Sequence, residues 1–182
     1  MFNGWHWVGT FTGVVVITVV ALPLAALAVW VLARRRRGSG EAWRTSLAEV
    51  GIVYGTAPTV WLTMLPGSEG RVSLVPLRDL VAIIEHGAAS ATLQIGGNLL
   101  VFAALGFFGP MRFAKLASVW RILVLAASCS VLIETAQYVL RLDRVSSVDD
   151  VLLNTAGAVL AAMASRRWWR ATADADAERV PA

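Results

Sequence analysis

The stretch Ser130–Gly157, SVLIETAQYVLRLDRVSSVDDVLLNTAG, decides how the rest of the chain is read. Two apolar runs, each extending past it to a length that can cross a bilayer, meet here at a short polar turn. Around that turn lie Glu134, Gln137, Arg141, Arg144, Asp149, Asp150 and Asn154. A carboxylate inside an apolar helix is costly in lipid unless it is paired, hydrated or turned toward other helices. Glu134 is therefore a candidate functional residue, and the stretch reads as a helical hairpin within a membrane.

The composition supports that reading. Of 182 residues, 57% are hydrophobic and only 15% charged, and the mean hydropathy is +0.66. So much apolar surface, gathered in long blocks, exceeds what a soluble core of this size hides. The expectation is an all-α, polytopic transmembrane bundle. The net charge of +4 does not point to nucleic acid, because the basic residues flank apolar runs, where they set membrane topology. The single Cys129 cannot form an intramolecular disulfide and reads as a small buried hydrophobe. No His/Cys metal motif, nucleophile elbow or phosphate loop occurs, so neither metal nor cofactor is expected.

Outward from the hairpin, five spans are expected: Val8–Ala33, Leu47–Leu65, Leu93–Phe108, Ile122–Leu140 and Val148–Ser165. Trp5, His6 and Trp7 precede the first as interfacial residues, and Arg34 to Arg44, with Gly38, Ser39 and Gly40, follows as a basic linker. Positive charge after the first apolar run, not before it, reads as an anchor and not as a cleaved signal. Gly51, Gly55 and Pro58 allow the second helix to bend or pack closely, Glu49 sits near its basic end, and Gly96 and Gly97 permit close approach of the third. Between them, Leu77, Leu80, Val81 and Ile84 recur at helical spacing, predicting a short amphipathic helix over 76–86, too short to span. His86 reads as part of its solvated face. Arg166, Arg167, Trp168, Trp169 and Arg170 form a basic aromatic foot, and 171–182 reads as a disordered tail. The chain thus divides into an anchor and linker at 1–46, a membrane domain at 47–170 and the tail; the first helix looks like an addition to a four-helix unit.

With the tail set aside, eleven Lys and Arg residues fall in the segments after the first, third and fifth spans, against four in the others. That asymmetry predicts an outside amino terminus and a cytoplasmic carboxyl terminus. With 1.5 Å of rise per residue, Glu134 and Asn154 each lie ~9 Å inside the outer ends of neighbouring helices, and Asn98 ~7 Å inside a third. Gln137 shares the Glu134 face and Asp150 the Asn154 face. The expected result is a polar column, open to the outside: Arg144, Asp150, Gln137, then Glu134, Asn154 and Asn98. Ser146 and Ser147, each three residues before an aspartate, also suit an acidic capping box for the last helix, with Asp149 and Asp150 at its positive end.

Four blocks carry a family resemblance: VSLVPLRDL (72–80), GGNLLVFAALGFFGP (96–110), SVLIETAQ (130–137) and RVSSVDDVLLNTAGAVL (144–160). Across about residues 72 to 163 the chain resembles the VanZ-like family of bacterial membrane proteins, named for a protein of glycopeptide resistance clusters that raises tolerance to teicoplanin. Ser73 and Leu77 stand where the family usually has Asn and an aromatic, and Ser147 replaces the first acid of its aromatic-Asp-(Ile/Val)-Asp-Asp form. The resemblance implies a plasma-membrane protein of the bacterial cell envelope among membrane lipids. Its outward pocket of Asn98, Glu134, Gln137, Arg144, Asp149, Asp150 and Asn154 would bind a lipid-linked cell-wall precursor or a lipoglycopeptide, with Arg144 and Arg78 facing a phosphate or carboxylate. Two alternatives are an integral membrane enzyme, holding a divalent cation on Asp149, Asp150 and Glu134 and acting on a polyprenyl phosphate or phospholipid, and a small transporter or proton relay.

Overall fold

Thr10 accepts the Gly13 amide at 3.1 Å and so starts α1, Phe11–Arg35, which runs through Pro23 to its basic end. The computed structural model describes residues 10–36, 41–68, 70–85 and 87–169. Trp5, His6, Trp7, Arg37, Gly38, Ser39, Gly40, His86, Arg170 and the tail 171–182 lie outside them. After α1 the chain returns as α2 (Ala42–Thr63), which stays continuous through Pro58. The Tyr54 hydroxyl donates to the Thr18 carbonyl at 2.6 Å, and α1 packs chiefly on α2.

Strand β1 (Arg71–Ser73) and helix α3 (Arg78–Glu85) follow, the latter within the amphipathic stretch expected from the 3.6-residue period. Next comes α4, Ala88–Val101, and then α5, Ala103–Arg112. The expected third span, Leu93–Phe108, is thus longer than its apolar core and interrupted at Phe102. There the backbone turns aside to bury the Phe102 ring, and the Val101 carbonyl at the break accepts the Thr59 hydroxyl at 3.0 Å. A single 3-10 turn at Ala114–Leu116 leads into α6 (Val119–Val139), then β2 (Val145–Ser147) and α7 (Val148–Ala164).

The core joins α4, α5, α6 and α7 through Val101, Phe102, Ile122, Ala126, Ala158 and Ala162. Its closest approaches need glycine. A Cβ on Gly157 would strike the Leu99 carbonyl, and one on Gly106 the Ala158 carbonyl. Gly96 and Gly97, expected to serve this purpose, face open space instead. Small residues do mediate the packing, but at Gly51 and Gly55 of α2, Gly106 of α5 and Gly157 of α7.

Among the described residues, three stretches are long and apolar enough to cross a membrane: Phe11–Arg35, Ala88–Arg112 and Val119–Val139. Their outer faces expose Val19, Val20, Leu24, Leu93 and Leu132, as lipid-facing helices do. The architecture is all-α, with one small two-stranded parallel sheet that the sequence did not announce.

The bundle has two chemically different ends. At the basic end, Glu49 accepts from Arg36 Nη2 at 2.7 Å and from Arg112 Nε at 2.5 Å, while Arg44 donates to the Trp168 carbonyl at 2.8 Å. These bonds bring together the ends of α1, α2, α5 and α7. At the hairpin end, the Gly67 amide donates to the Leu142 carbonyl at 2.8 Å and β1 pairs with β2.

Candidate functional site

The turn after α6 is tight enough to hold Arg141 (φ 52°) and Asp143 (φ 49°) in the left-handed region. It delivers β2 alongside β1 in parallel, with Arg71 opposite Val145 and Ser73 opposite Ser147. That register sets Ser147 at the entrance of α7. Its hydroxyl accepts the Asp149 amide at 3.2 Å, capping α7, and donates to Asp79 Oδ2 at 2.7 Å. Asp79 Oδ1 in turn pairs with Arg71 at 2.8 Å. Burial pushes the Asp79 carboxyl up. The Ser73 and Ser147 hydroxyls and the charges of Arg71 and Arg78 outweigh that effect and hold it below its ordinary value.

Asp149 is 3% exposed and does not serve its own helix. One oxygen accepts the Leu77 amide at 2.5 Å, and the other accepts the Asp79 and Leu80 amides, both at 3.0 Å. It caps α3 from across the molecule. The expected acidic capping box within 146–150 is therefore only half right: Ser147 caps α7, and Asp149 is spent elsewhere. Leu77 explains why. It stands where α3 needs a capping oxygen, has none, and sits at φ 67° to present its amide to Asp149. A helix start with no polar residue to cap it was the signal for a long-range partner.

The remaining polar residues separate into pairs instead of forming one column. Asn98 Nδ2 donates to Asp150 Oδ1, joining α4 to α7. Asn154, 2% exposed, donates to Ser130 Oγ at 2.8 Å, and its own Oδ1 is buried without a donor. Glu134 Oε2 accepts the Ser147 amide at 3.1 Å, so it hydrogen-bonds to neither Asn98 nor Asn154. Gln137 donates to the Thr63 carbonyl at 2.8 Å and Arg144 to the Leu65 carbonyl at 3.2 Å, which fastens the exit of α2 to the hairpin. Arg78 is exposed. Arg71, Asp79, Ser130 and Ser147 complete the site, and the sequence pattern alone had not marked them as partners.

Two cavities open here. One, of about 420 Å³, is mostly apolar, walled by Val72, Leu74, Val131, Thr135, Tyr138, Val148 and Val151, with Glu134, Ser146 and Ser147 at its polar edge. The other, of about 330 Å³, is lined by Arg71, Asp79, Ala82, Ile83, Ser90, Gln94, Val145, Ser147 and Asp150. Ser147 belongs to both. Among the described residues, no group of three or more His, Cys, Asp or Glu side chains is placed to hold a metal ion.

A family model described as VanZ/LLP1 matches residues 24–169, most of the chain. The chain belongs to the VanZ/LLP1 family. The VanZ/LLP1 match is wider than the four blocks that suggested it, taking in α2 and the later part of α1. It also contains every polar pair just described. There is no match among curated proteins and none among solved structures.

Proposed function

We propose that this VanZ/LLP1 membrane protein crosses the bacterial plasma membrane five times, with its hairpin end outside and its basic end cytoplasmic. There, at the outer surface, it binds an amphiphile of the cell envelope, a lipid-linked cell-wall precursor or a lipoglycopeptide. The gathering of Arg34, Arg35, Arg36, Arg44, Arg112, Lys115, Arg121, Arg166 and Arg167 in the segments of one end supports the orientation. The observation that carries the binding reading is Glu134: a carboxylate held by the Ser147 amide and the Ser146 hydroxyl at the polar edge of a mostly apolar cavity. Valines 72, 131, 148 and 151 suit a hydrocarbon chain, and the polar edge suits the head. Both Asp149 oxygens are committed to α3. That commitment removes a ligand from the three-carboxylate cation site on which an enzyme of polyprenyl phosphate would rely. A role in tolerance to teicoplanin would follow from capture of such a ligand at the outer surface.

The test is purification of the full chain and of its Glu134→Gln and Val151→Trp variants from bacterial membranes, with the bound lipids identified by mass spectrometry. An envelope amphiphile should be enriched with the wild type and lost from Val151→Trp, where the indole fills the cavity. Identical lipid profiles for all three proteins would overturn the reading.

A further inference from the structure

The seam between α6 and α7 holds more hydrogen-bond acceptors than donors. Glu134 is met by the Ser147 amide and the Ser146 hydroxyl, and Asp150 Oδ1 by Asn98, but Asp150 Oδ2 has no hydrogen-bond donor among the described residues. One turn deeper on the Asp150 face, Asn154 Oδ1 is buried without a donor. Unmet acceptors in a low-dielectric setting are costly, and unmet carboxylates more so.

The cations nearby offset this surplus only in part, through the Arg144 charge, which acts on both Glu134 and Asp150. Arg71 is the one cation lining either cavity among the described residues, and Asp79 neutralises it where it stands. Arg144 is aimed at the Leu65 carbonyl and lines neither cavity. The earlier expectation that Arg144 and Arg78 face a phosphate therefore lacks a geometric basis. An anionic head in these cavities would meet carboxylates and, of the guanidiniums that line them, only Arg71, already paired with Asp79.

Ser147 is the wall shared by the two cavities, with Glu134 on the apolar side and Asp150 on the polar side. We infer that the two cavities are the tail and head halves of one site, and that its ligand has a donor-bearing head, an ammonium group, and not a phosphate. This rests on the amphiphile-binding reading above and narrows it to ligands that present an amine, the lipoglycopeptide over a lipid-linked precursor carried on phosphate. An ammonium supplies three N–H donors and a positive charge, enough to meet Asp150 Oδ2 and to act on the neighbouring Glu134 charge as well.

Dodecylamine and dodecyl phosphate, matched in chain and opposite in head charge, are the probes. Each is titrated into the full-length protein in phosphatidylcholine nanodiscs, with empty discs subtracted. The wild type should bind the amine at least about tenfold more tightly than the phosphate, the scale of one charge-assisted hydrogen bond. Asp150→Asn and Glu134→Gln, which keep side-chain shape, should each remove most of that preference, and Val151→Trp should abolish saturable binding of both. Equal or tighter phosphate binding, or an amine preference unchanged in both carboxamide variants, overturns the head assignment while leaving the tail cavity standing. If neither probe saturates and Val151→Trp changes nothing, the amphiphile reading itself falls, and this inference with it.

Discussion

Glu49 and Glu134 are both glutamates carried by long helices, at opposite ends of the bundle, and their surroundings differ in kind. Glu49 has each oxygen on a separate arginine, from α1 and α5, at 2.7 and 2.5 Å. Glu134 has the Ser147 amide, the Ser146 hydroxyl and an open cavity edge, and no arginine in direct contact. The first carboxylate is closed upon itself and ties three segments together. The second is left with capacity to spare. The difference teaches that a charge within an apolar helix is informative only once its partners are counted: a saturated one explains architecture, and an unsaturated one invites a ligand.

Substitutions can break or sharpen that contrast. The largest effect is expected at Asp149, an extreme case of a saturated carboxylate. Asp149→Ala strands three amides of α3, and the loss in unfolding free energy should be about 3 kcal/mol in mixed-micelle denaturation. A change under about 0.5 kcal/mol would show that α3 is held by something else. Glu49→Ala should cost about 1–2 kcal/mol by the same measurement, less than a fully buried pair because its groups are between 26% and 34% exposed. Glu134→Gln should move in the other direction or barely at all, within about 0.5 kcal/mol, while removing ligand. A Glu134→Gln penalty as large as that of Glu49→Ala would erase the distinction.

The Asp79 clasp adds a pH arm. Its carboxyl is held below the ordinary value of 3.8, so the folded state binds that proton less readily than the unfolded state does. The clasp therefore stabilises the hairpin end above about that pH and loses its contribution as the pH falls further. Hydrogen exchange of the α3 amides should stay slow at neutral pH and quicken only in strong acid. Asp79→Asn should make it fast and nearly pH-independent after correction for intrinsic exchange. The smallest effect is topological: Asp143→Cys in a Cys129→Ala background should react with an impermeant maleimide in intact cells, and labelling only after lysis would invert the orientation.

The apolar blocks made the helices legible, because a span needs little more than length and hydropathy, and the 3.6-residue period gave α3. Equal depth along antiparallel helices brought Glu134 and Asn154 to neighbouring levels. It could not say that Asn154 pairs with Ser130 and Glu134 with the Ser147 amide, since depth fixes height and not azimuth. The Asn98–Asp150 pair followed the expected meeting of α4 with α7. The Asp149 cap on α3, the Arg36–Glu49–Arg112 bridge and the β1–β2 pairing were not legible. Each joins residues far apart in sequence, where no local period speaks. The Gly96–Gly97 pair drew attention that belonged to Gly106 and Gly157, because spacing does not reveal which side of a helix meets a neighbour.

The Asp149 contact also has a consequence in time. The amide of Asp79 and the carboxylate that receives it are 70 residues apart. During synthesis α3 must wait for nearly the whole chain to emerge before its first turn is satisfied. The hairpin end is thus the last part to settle, and only a chain that has formed the start of its final helix can complete the cap on α3.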